Sequence, residues 1–551
     1  MGAVGIDCDV TSRLTEAEVD VFRLIMDVVK SKGLAVTPRV AGGWVRDKLM
    51  GKESKDLDLA LDTMMGVEFA EHLNDLMASR GRKTHSVGEI RVNPEKSKHL
   101  ETATVRVGDL EMDVVNLRSE SYAEGSRIPE SMAFGTAEED ALRRDLTINA
   151  LFYNLVTEEV EDLTGRGLAD LRAGLCRAPM ADQRQTLLDD PLRALRAVRF
   201  ASRFGFALDG DLADACQDPE VLRALRDKVS RERVGAELEG MLKHDPPRAL
   251  AVLAALGMFD AVATLPSGMA DDAAAGAAGA AGGVDHHHRL AADCVFSMLA
   301  TLALAAKAGL APEMGSDARR TLHLASFFAP LAGKTYAAKK NKLRPAAEFV
   351  IKESLKLRGR DADLVCMLHG AAATTFGRLL DQVRVGAEEG SAPTRLQLGL
   401  ALREVGPEWR IALALAAARR VQASAEPSAL LRPELATDGE RIPGEGDGDG
   451  ELAAMARARA ALPAGDIARE AAEARKVADL VASMGLDGCW DVKPLLKGDE
   501  IMHALGRTRP GPWLGSVMSR LVEWQLERPH GSKEECTAWL TSVVAPTLAP
   551  P

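Results

Sequence analysis

Gly42-Gly43-Trp44-Val45-Arg46-Asp47, followed within ten residues by Asp56-Leu57-Asp58, is the stretch from which the rest of this 551-residue chain can be read. A short apolar run, Val40-Ala41, gives way at the glycines to a helical pattern from Trp44 to Met50. Residues without side chains at a helix N-terminus let anionic oxygens approach backbone N–H groups. Arg46 adds a planar, permanently charged fork to the same place. Asp56 and Asp58 alternate with Leu57, Leu59 and Leu61, so the segment reads as a strand. On a strand, residues i and i+2 point the same way, so the two carboxylates converge. Convergent carboxylates are what a divalent-cation site for phosphoryl chemistry requires. Neither half is specific by itself: Asp-x-Asp is usually a solvated strand face, and Gly-Gly is usually only a turn. The two in this order point to the handling of a nucleoside triphosphate.

Composition sets the bounds. A chain of this length buries a large core and holds several domains. Hydrophobic residues at 46% and charged residues at 27% are ordinary for a globular protein. No apolar run in the sequence is read as long enough to span a bilayer. The N-terminus, Met1 to Arg13, has neither a signal h-region nor an Arg-rich, acid-poor presequence. The expected location is cytoplasmic or nuclear, with an organellar pool from an alternative start. The seven cysteines are scattered, without a Cys-x-x-Cys, and read as free thiols. A net charge of −12 argues against indiscriminate nucleic-acid binding but not against a local basic track.

Such a track exists. Nine Lys or Arg lie between Lys334 and Arg360, opposed only by Glu348 and Glu353. Lys339, Lys340, Lys342 and Arg344 sit at its centre. With only Tyr336 and Phe349 as aromatics among nine cations, the track favours phosphate contacts over base stacking, which suits a folded RNA bound by shape. Upstream, residues 1–180 mix strand-like and helical runs. Glu111 to Arg118 and Leu151 to Val156 read as strands. From 181 onward apolar residues recur at helical spacing, as in Leu187 to Phe206 and Leu222 to Leu256. Residues 266–284 read as an Ala/Gly-rich flexible insertion and 426–450 as an acidic, Gly-rich linker. Asp285-His286-His287-His288-Arg289 reads as a solvated loop rather than a metal site.

Further motifs follow in order. They are Asp140-Ala141-Leu142-Arg143-Arg144-Asp145-Leu146-Thr147-Ile148-Asn149, then Asp162-Leu163-Thr164-Gly165, then Asp189-Asp190-Pro191-Leu192-Arg193-Ala194-Leu195-Arg196, then Ser230-Arg231-Glu232-Arg233-Val234-Gly235-Ala236-Glu237. Together with the opening stretch they resemble the five motifs of the class II CCA-adding enzymes and bacterial poly(A) polymerases. Asn93 to Ala103 resembles the fungal and plant type. One departure is Asp189, where many relatives carry Glu; the charge is kept.

The resemblance implies an α+β fold: a small mixed-sheet catalytic head (1–180), a helical neck with the nucleotide-selecting motif (181–265), a helical body carrying the basic track (285–425) and a helical tail (451–551). It implies a template-independent enzyme that builds or repairs the 3′-terminal CCA of tRNA from CTP and ATP. Asp56 and Asp58 would hold two Mg²⁺ ions, with Asp113 as the third carboxylate. Gly42, Gly43 and Arg46 would cradle phosphates. Arg144 or its neighbour Arg143, Asp145 and Asn149 would contact sugar or phosphate, although Asn149 could instead cap a turn. Asp190 and Arg193, three apart on a predicted helix, would share a face and read the base, with Arg196 continuing the stripe. The resemblance calls for no membrane and no obligate protein partner. A poly(A) polymerase, a CC- or A-adding specialist and an RNA-binding protein with an inactive head share these motifs and stay open.

Overall fold

Alternation around Asp58 does build a strand, and that strand is the centre of the head. The protein is described here from a computed structural model, which covers residues 6, 9–54, 56–86, 88–90, 102–122, 129–269, 282–311, 314–389, 392–425 and 462–548. The described chain falls into two units, the first ending at Thr264 and the second beginning at Leu265.

In the first unit, α1 (Glu16–Lys32) opens with a capping box in which Thr15 and Glu18 exchange hydrogen bonds, and it closes on Gly33 at a φ of 62°. The sheet comprises β1 (Arg39–Ala41), β2 (Leu57–Leu61), β3 (Gly88–Ile90), β4 (Thr102–Val107), β5 (Leu110–Asn116), β8 (Phe152–Asn154) and β9 (Glu159–Glu161), while β6 (Arg118–Tyr122) and β7 (Pro129–Phe134) form a separate hairpin. Strand order is β3-β4-β5-β2-β1-β8-β9, with β2 and β5 the parallel pair and the other pairs antiparallel. All three strands expected from sequence, β2, β5 and β8, are present. Between β1 and β2 lies α2 (Gly43–Leu49); α3 (Gly66–Ser79) packs on β4 and β5. Beyond β7 come α4 (Ala137–Leu142), α5 (Gly167–Ala173), α6 (Gln183–Asp189), α7 (Leu192–Phe204), α8 (Gly210–Gln217), α9 (Pro219–Lys228) and α10 (Arg231–Leu242). Helix α10 packs on α7 so closely that a Cβ on Gly240 would stand 2.5 Å from the Arg199 side chain.

The second unit is built on a long helix, Gly282–Lys307, packed against Trp409–Ala423 and Ala464–Ser483. Its segment Arg289–Lys307 is long and apolar enough to cross a membrane by length and composition, which corrects the sequence reading. Most of that segment is buried among other helices, the property of a core helix. The same helix corrects the reading of Asp285 to Arg289 as a loop: their backbone is helical. The expected insertion is shortened at both ends. Met269 is buried and bridges Tyr336, the helix begins at Gly282, and residues 270–281 lie outside the described residues. The linker 426–450 and most of the Asn93 to Ala103 match also lie outside them. Among the described residues, strands persist past residue 181 in two places: a hairpin of Thr335–Ala337 with Leu343–Pro345, and Ala207–Leu208 paired with Leu175–Cys176. Each is two or three residues long, too short for alternation to register in sequence.

Candidate active site

The turn from β1 into α2 explains the glycines. Gly42 has φ 71° and ψ −123°, a backbone state closed to residues with a Cβ. A Cβ there would also stand 2.8 Å from the Arg144 guanidinium. The Gly42 N–H donates to the Leu151 carbonyl at 2.9 Å, so the turn and the arginine, not an open N–H, account for this residue. Trp44 drops into the core against Phe22 and Tyr153, and its indole N–H donates to Glu18 at 2.7 Å. Lys48, also buried, pairs with the same Glu18 at 2.8 Å. The helix after the glycines is thus bolted to α1.

Arg46 departs from the expected open fork. It is 3% exposed. Its guanidinium donates to Asp47 at 2.7 and 2.9 Å and to the Asn149 side chain, and it lies over the Phe200 and Phe204 rings. Asn149 continues the chain of bonds: its amide donates to Asp145 at 3.0 Å, and Asp145 accepts from Arg196 at 2.7 Å. Burial by itself raises the Asp145 carboxyl, but Arg196, Asn149 and the Leu146 N–H outweigh it and hold the group below the usual carboxylate range. Asn149 therefore joins Arg46 to Arg196 rather than only capping a turn. Arg143 and Arg144 share one buried acid, Asp140, through 2.9 Å bonds from each. Arg144 also donates to the Asn149 carbonyl at 3.2 Å.

The carboxylates meet through strand register. Asp58 and Asp113 are direct partners on the parallel strands β2 and β5. Asp56 lies just ahead of β2 and is exposed, as is Asp58. Asp58 is open to the arginine-lined cavity rather than to the bulk, and its carboxyl is pushed above the usual carboxylate range, first by desolvation in that recess, then by Asp113 and Asp56, with Arg144 opposing. Asp113 accepts from the Thr104 hydroxyl at 2.7 Å, a residue the sequence reading passed over. No group of three or more His, Cys, Asp or Glu side chains among the described residues is close enough to hold a metal ion as it stands. Asp58, with Asp113 and Asp56 raising its carboxyl, is nonetheless the centre of a donor set whose repulsion a divalent cation would relieve.

The reading of Asp190 and Arg193 as one helix face is corrected. Asp190 lies between helices, extended at φ −139° and ψ 97°, because it precedes Pro191, the N-cap of α7. Its carboxylate accepts the Leu192 N–H at 3.3 Å and the Arg233 guanidinium at 2.7 Å. Arg193 is buried and donates to the Thr186 and Arg143 carbonyls at 3.0 and 2.6 Å. Both residues nonetheless line one cavity of about 720 Å³, together with Asp58, Gly42, Arg144 and Arg196. Nine arginines and four carboxylates line it, so the cavity is strongly positive inside an acidic chain. His244 registers the same field: burial first, then Arg203, Arg199, Lys243 and Lys52, hold it below its usual range.

Like Thr104, Arg233 and Glu237 are residues whose roles sequence reasoning missed. Glu237 accepts from Arg199 at 2.6 Å and lies 3.8 Å from Arg196. The signal was present: the two stand four apart in the fifth motif, with opposite charge, one helical turn from each other.

Residues 38–177 match the family described as the poly A polymerase head domain. The chain is 32% identical to the mitochondrial CCA tRNA nucleotidyltransferase of Saccharomyces cerevisiae, over 96% of this chain and 94% of that one. The chain belongs to the CCA tRNA nucleotidyltransferase family. The tRNA nucleotidyltransferase cca2 of Schizosaccharomyces pombe is also 32% identical, over 95% of this chain and 97% of its own length. Among solved structures, the Thermotoga maritima CCA-adding enzyme complexed with tRNA superposes with a TM-score of 0.57 at 16% identity, covering 97% of each chain. At that identity the likeness concerns the fold, a mixed-sheet head followed by helices, which this nucleotidyltransferase shares.

In the second unit, Lys339, Lys340, Lys342 and Arg344 are exposed on the hairpin, where Lys340 and Asn341 take positive φ. Arg344 donates to Glu348 at 2.8 Å. Lys352 and Lys356 are also in ion pairs, so the positive surface is narrower than the sequence track.

Proposed function

We propose that this nucleotidyltransferase adds or repairs the 3′-terminal CCA of tRNA, joining CMP and AMP from CTP and ATP to the RNA 3′-hydroxyl with release of pyrophosphate. The observation that carries the reading is the pairing of Asp58 with Asp113 at the wall of an arginine-lined cavity that also contains Asp190 and Arg193. In this reading residues 1–180 are the catalytic head, 181–265 the neck, 285–425 the tRNA-contacting body and 451–551 the tail.

Asp56 and Asp58 would hold the two Mg²⁺ ions, with Asp113 assisting. Bound there, the ions would lower the pKa of the RNA hydroxyl and offset triphosphate charge. Arg144, Arg143 and Arg196, each already fixed by a carboxylate, present oriented donors to sugar and phosphate oxygens, so little side-chain order remains to be lost on binding. Arg46 is a support: it holds Asn149, which holds Asp145 and through it Arg196.

Base choice rests on Asp190 and Arg193. Cytosine and adenine each present an amino donor beside a ring-nitrogen acceptor; uracil and guanine present a carbonyl beside a ring N–H. A carboxylate accepting beside a guanidinium donating matches C and A and repels U and G. Arg193 is suited to this, because two backbone carbonyls fix its plane and leave its remaining N–H groups undirected by them. An organellar pool is supported by relatives named as mitochondrial.

The test is incubation of the purified chain with tRNA transcripts ending before CCA, after C and after CC, with each labelled nucleotide and Mg²⁺. Addition of C, C and A in turn, and then arrest, supports the reading. Processive A addition would make it a poly(A) polymerase, and one step only would make it a specialist. Asp190→Ala should lose discrimination against UTP and GTP, whereas Asp189→Ala, the last residue of α6, should keep it.

A further inference from the structure

Asp190 would read an amino group with a short, rotatable carboxylate, yet it lies outside any helix, where the backbone alone does not fix it. Two bonds do. One oxygen accepts the Leu192 N–H at 3.3 Å and the other accepts Arg233 at 2.7 Å. We propose that Arg233 is the positioning residue for nucleotide selection: it sets the plane of the Asp190 carboxylate so that the remaining lone pairs face the amino group of C or A.

Three observations converge on this. Helix α10, which carries Arg233, is locked to α7, which carries Arg193; Gly240 of α10 meets Arg199 of α7, and Glu237 of α10 accepts from it at 2.6 Å. The acceptor and the donor of the base-reading pair are thereby referred to one rigid helix pair. Second, the Arg233 and Asp190 side chains are 38% and 23% exposed, so the pair is open to an incoming base rather than sealed in the core. Third, an ion pair that open contributes little to fold stability. Its worth lies in direction, because a guanidinium donating through NH2 leaves the carboxylate one preferred plane.

The inference rests on the reading of Asp190 as a base-contacting group, so the experiment separates the two. Single-turnover addition of CTP, ATP, UTP and GTP to a tRNA lacking CCA is measured for Asp190→Ala, Arg233→Ala, Arg233→Lys and the Asp190→Ala/Arg233→Ala double variant, with circular dichroism and Tm on each. The expected result is a roughly 10-fold loss of the ratio of correct to wrong addition in Arg233→Ala, with Tm nearly unchanged. Arg233→Lys should recover part of that ratio, since charge remains but the fork does not. The double variant should be no less selective than Asp190→Ala alone. If Arg233→Ala keeps wild-type selectivity while Asp190→Ala loses it, the positioning role falls and the base-reading role of Asp190 stands. If Arg233→Ala slows all four nucleotides alike, Arg233 is structural and the proposal falls. If neither residue alters selectivity, the base-reading role of Asp190 is itself overturned. Should Arg233→Ala misfold, Arg233→Gln reads the same ratio.

Discussion

Asp58 carries a conflict between stability and chemistry. Its carboxyl is raised by desolvation in the cavity recess and by Asp113 and Asp56, so the ionised form is unfavourable to the folded head. A group whose folded pKa lies above its unfolded value lends no penalty below the unfolded value. The penalty grows as pH rises and is complete above the folded pKa. Asp58→Asn should therefore raise Tm at pH 7 in the absence of divalent cations, with the gain vanishing as pH falls to the ordinary carboxylate value. The same variant, and Asp56→Ala, should lose at least about 100-fold in nucleotide addition, more than removal of a supporting residue costs. A stabilised variant with full turnover in Mg²⁺ would remove Asp58 from the site. Gly42 gives a second residue-scale prediction. Gly42→Ala forces a Cβ to φ 71° and against Arg144, so it should cost about 1–3 kcal/mol and depress addition together with stability. Equal urea midpoints for variant and wild type would contradict it.

At the scale of elements, α2 is held from below. Lys48 and Glu18 form a pair at 1% and 3% side-chain exposure, joined by the Trp44 indole. Removing one partner strands a buried charge. Lys48→Met should destabilise the head by about 3–5 kcal/mol, read as a fall in its urea midpoint at neutral pH. The Glu18 carboxyl is held below its usual range: burial by itself raises it, and Lys48, the Thr15 N–H, Trp44 and the Thr15 hydroxyl together outweigh burial. Its contribution is present above the unfolded carboxylate pKa and is lost as pH falls through the lower folded value. The wild-type advantage over Lys48→Met should accordingly shrink in acid below the ordinary glutamate pKa. A difference that stays constant to the most acid pH would show that Lys48 acts through packing alone. Much of this was legible: the strand-to-helix pattern at Val40 to Met50 and the helix from Leu192 onward both appear. The break at Asp190-Pro191 was written in the sequence too, since a residue before proline is biased to extended backbone.

For the whole molecule, an acidic chain that acts on RNA must confine its positive charge. The first unit confines it in the cavity, and the second on the hairpin from Thr335 to Pro345. Lys339, Lys340 and Lys342 have no carboxylate partner among the described residues, and each is exposed. Reversing all three should weaken tRNA binding and flatten the plot of log affinity against log salt by up to about 2 units. An unchanged slope in a salt titration of binding would mark the hairpin as a solvated surface.

By itself the sequence determined the chemistry available: which residue types stand where, their local periodicity, and the order of motifs that places the chain in its family. Local pattern suffices for these because strands and helices repeat every two or 3.6 residues. Tertiary structure decided which partner each charge takes. Nine arginines and four carboxylates in one cavity can be matched in many ways, and only packing selects Arg196 for Asp145 and Arg233 for Asp190, while Arg46 turns to Asn149 and to Asp47 outside the lining. Asp113 depends on tertiary structure in the same way. It lies 55 positions after Asp58, and strand register alone makes them neighbours.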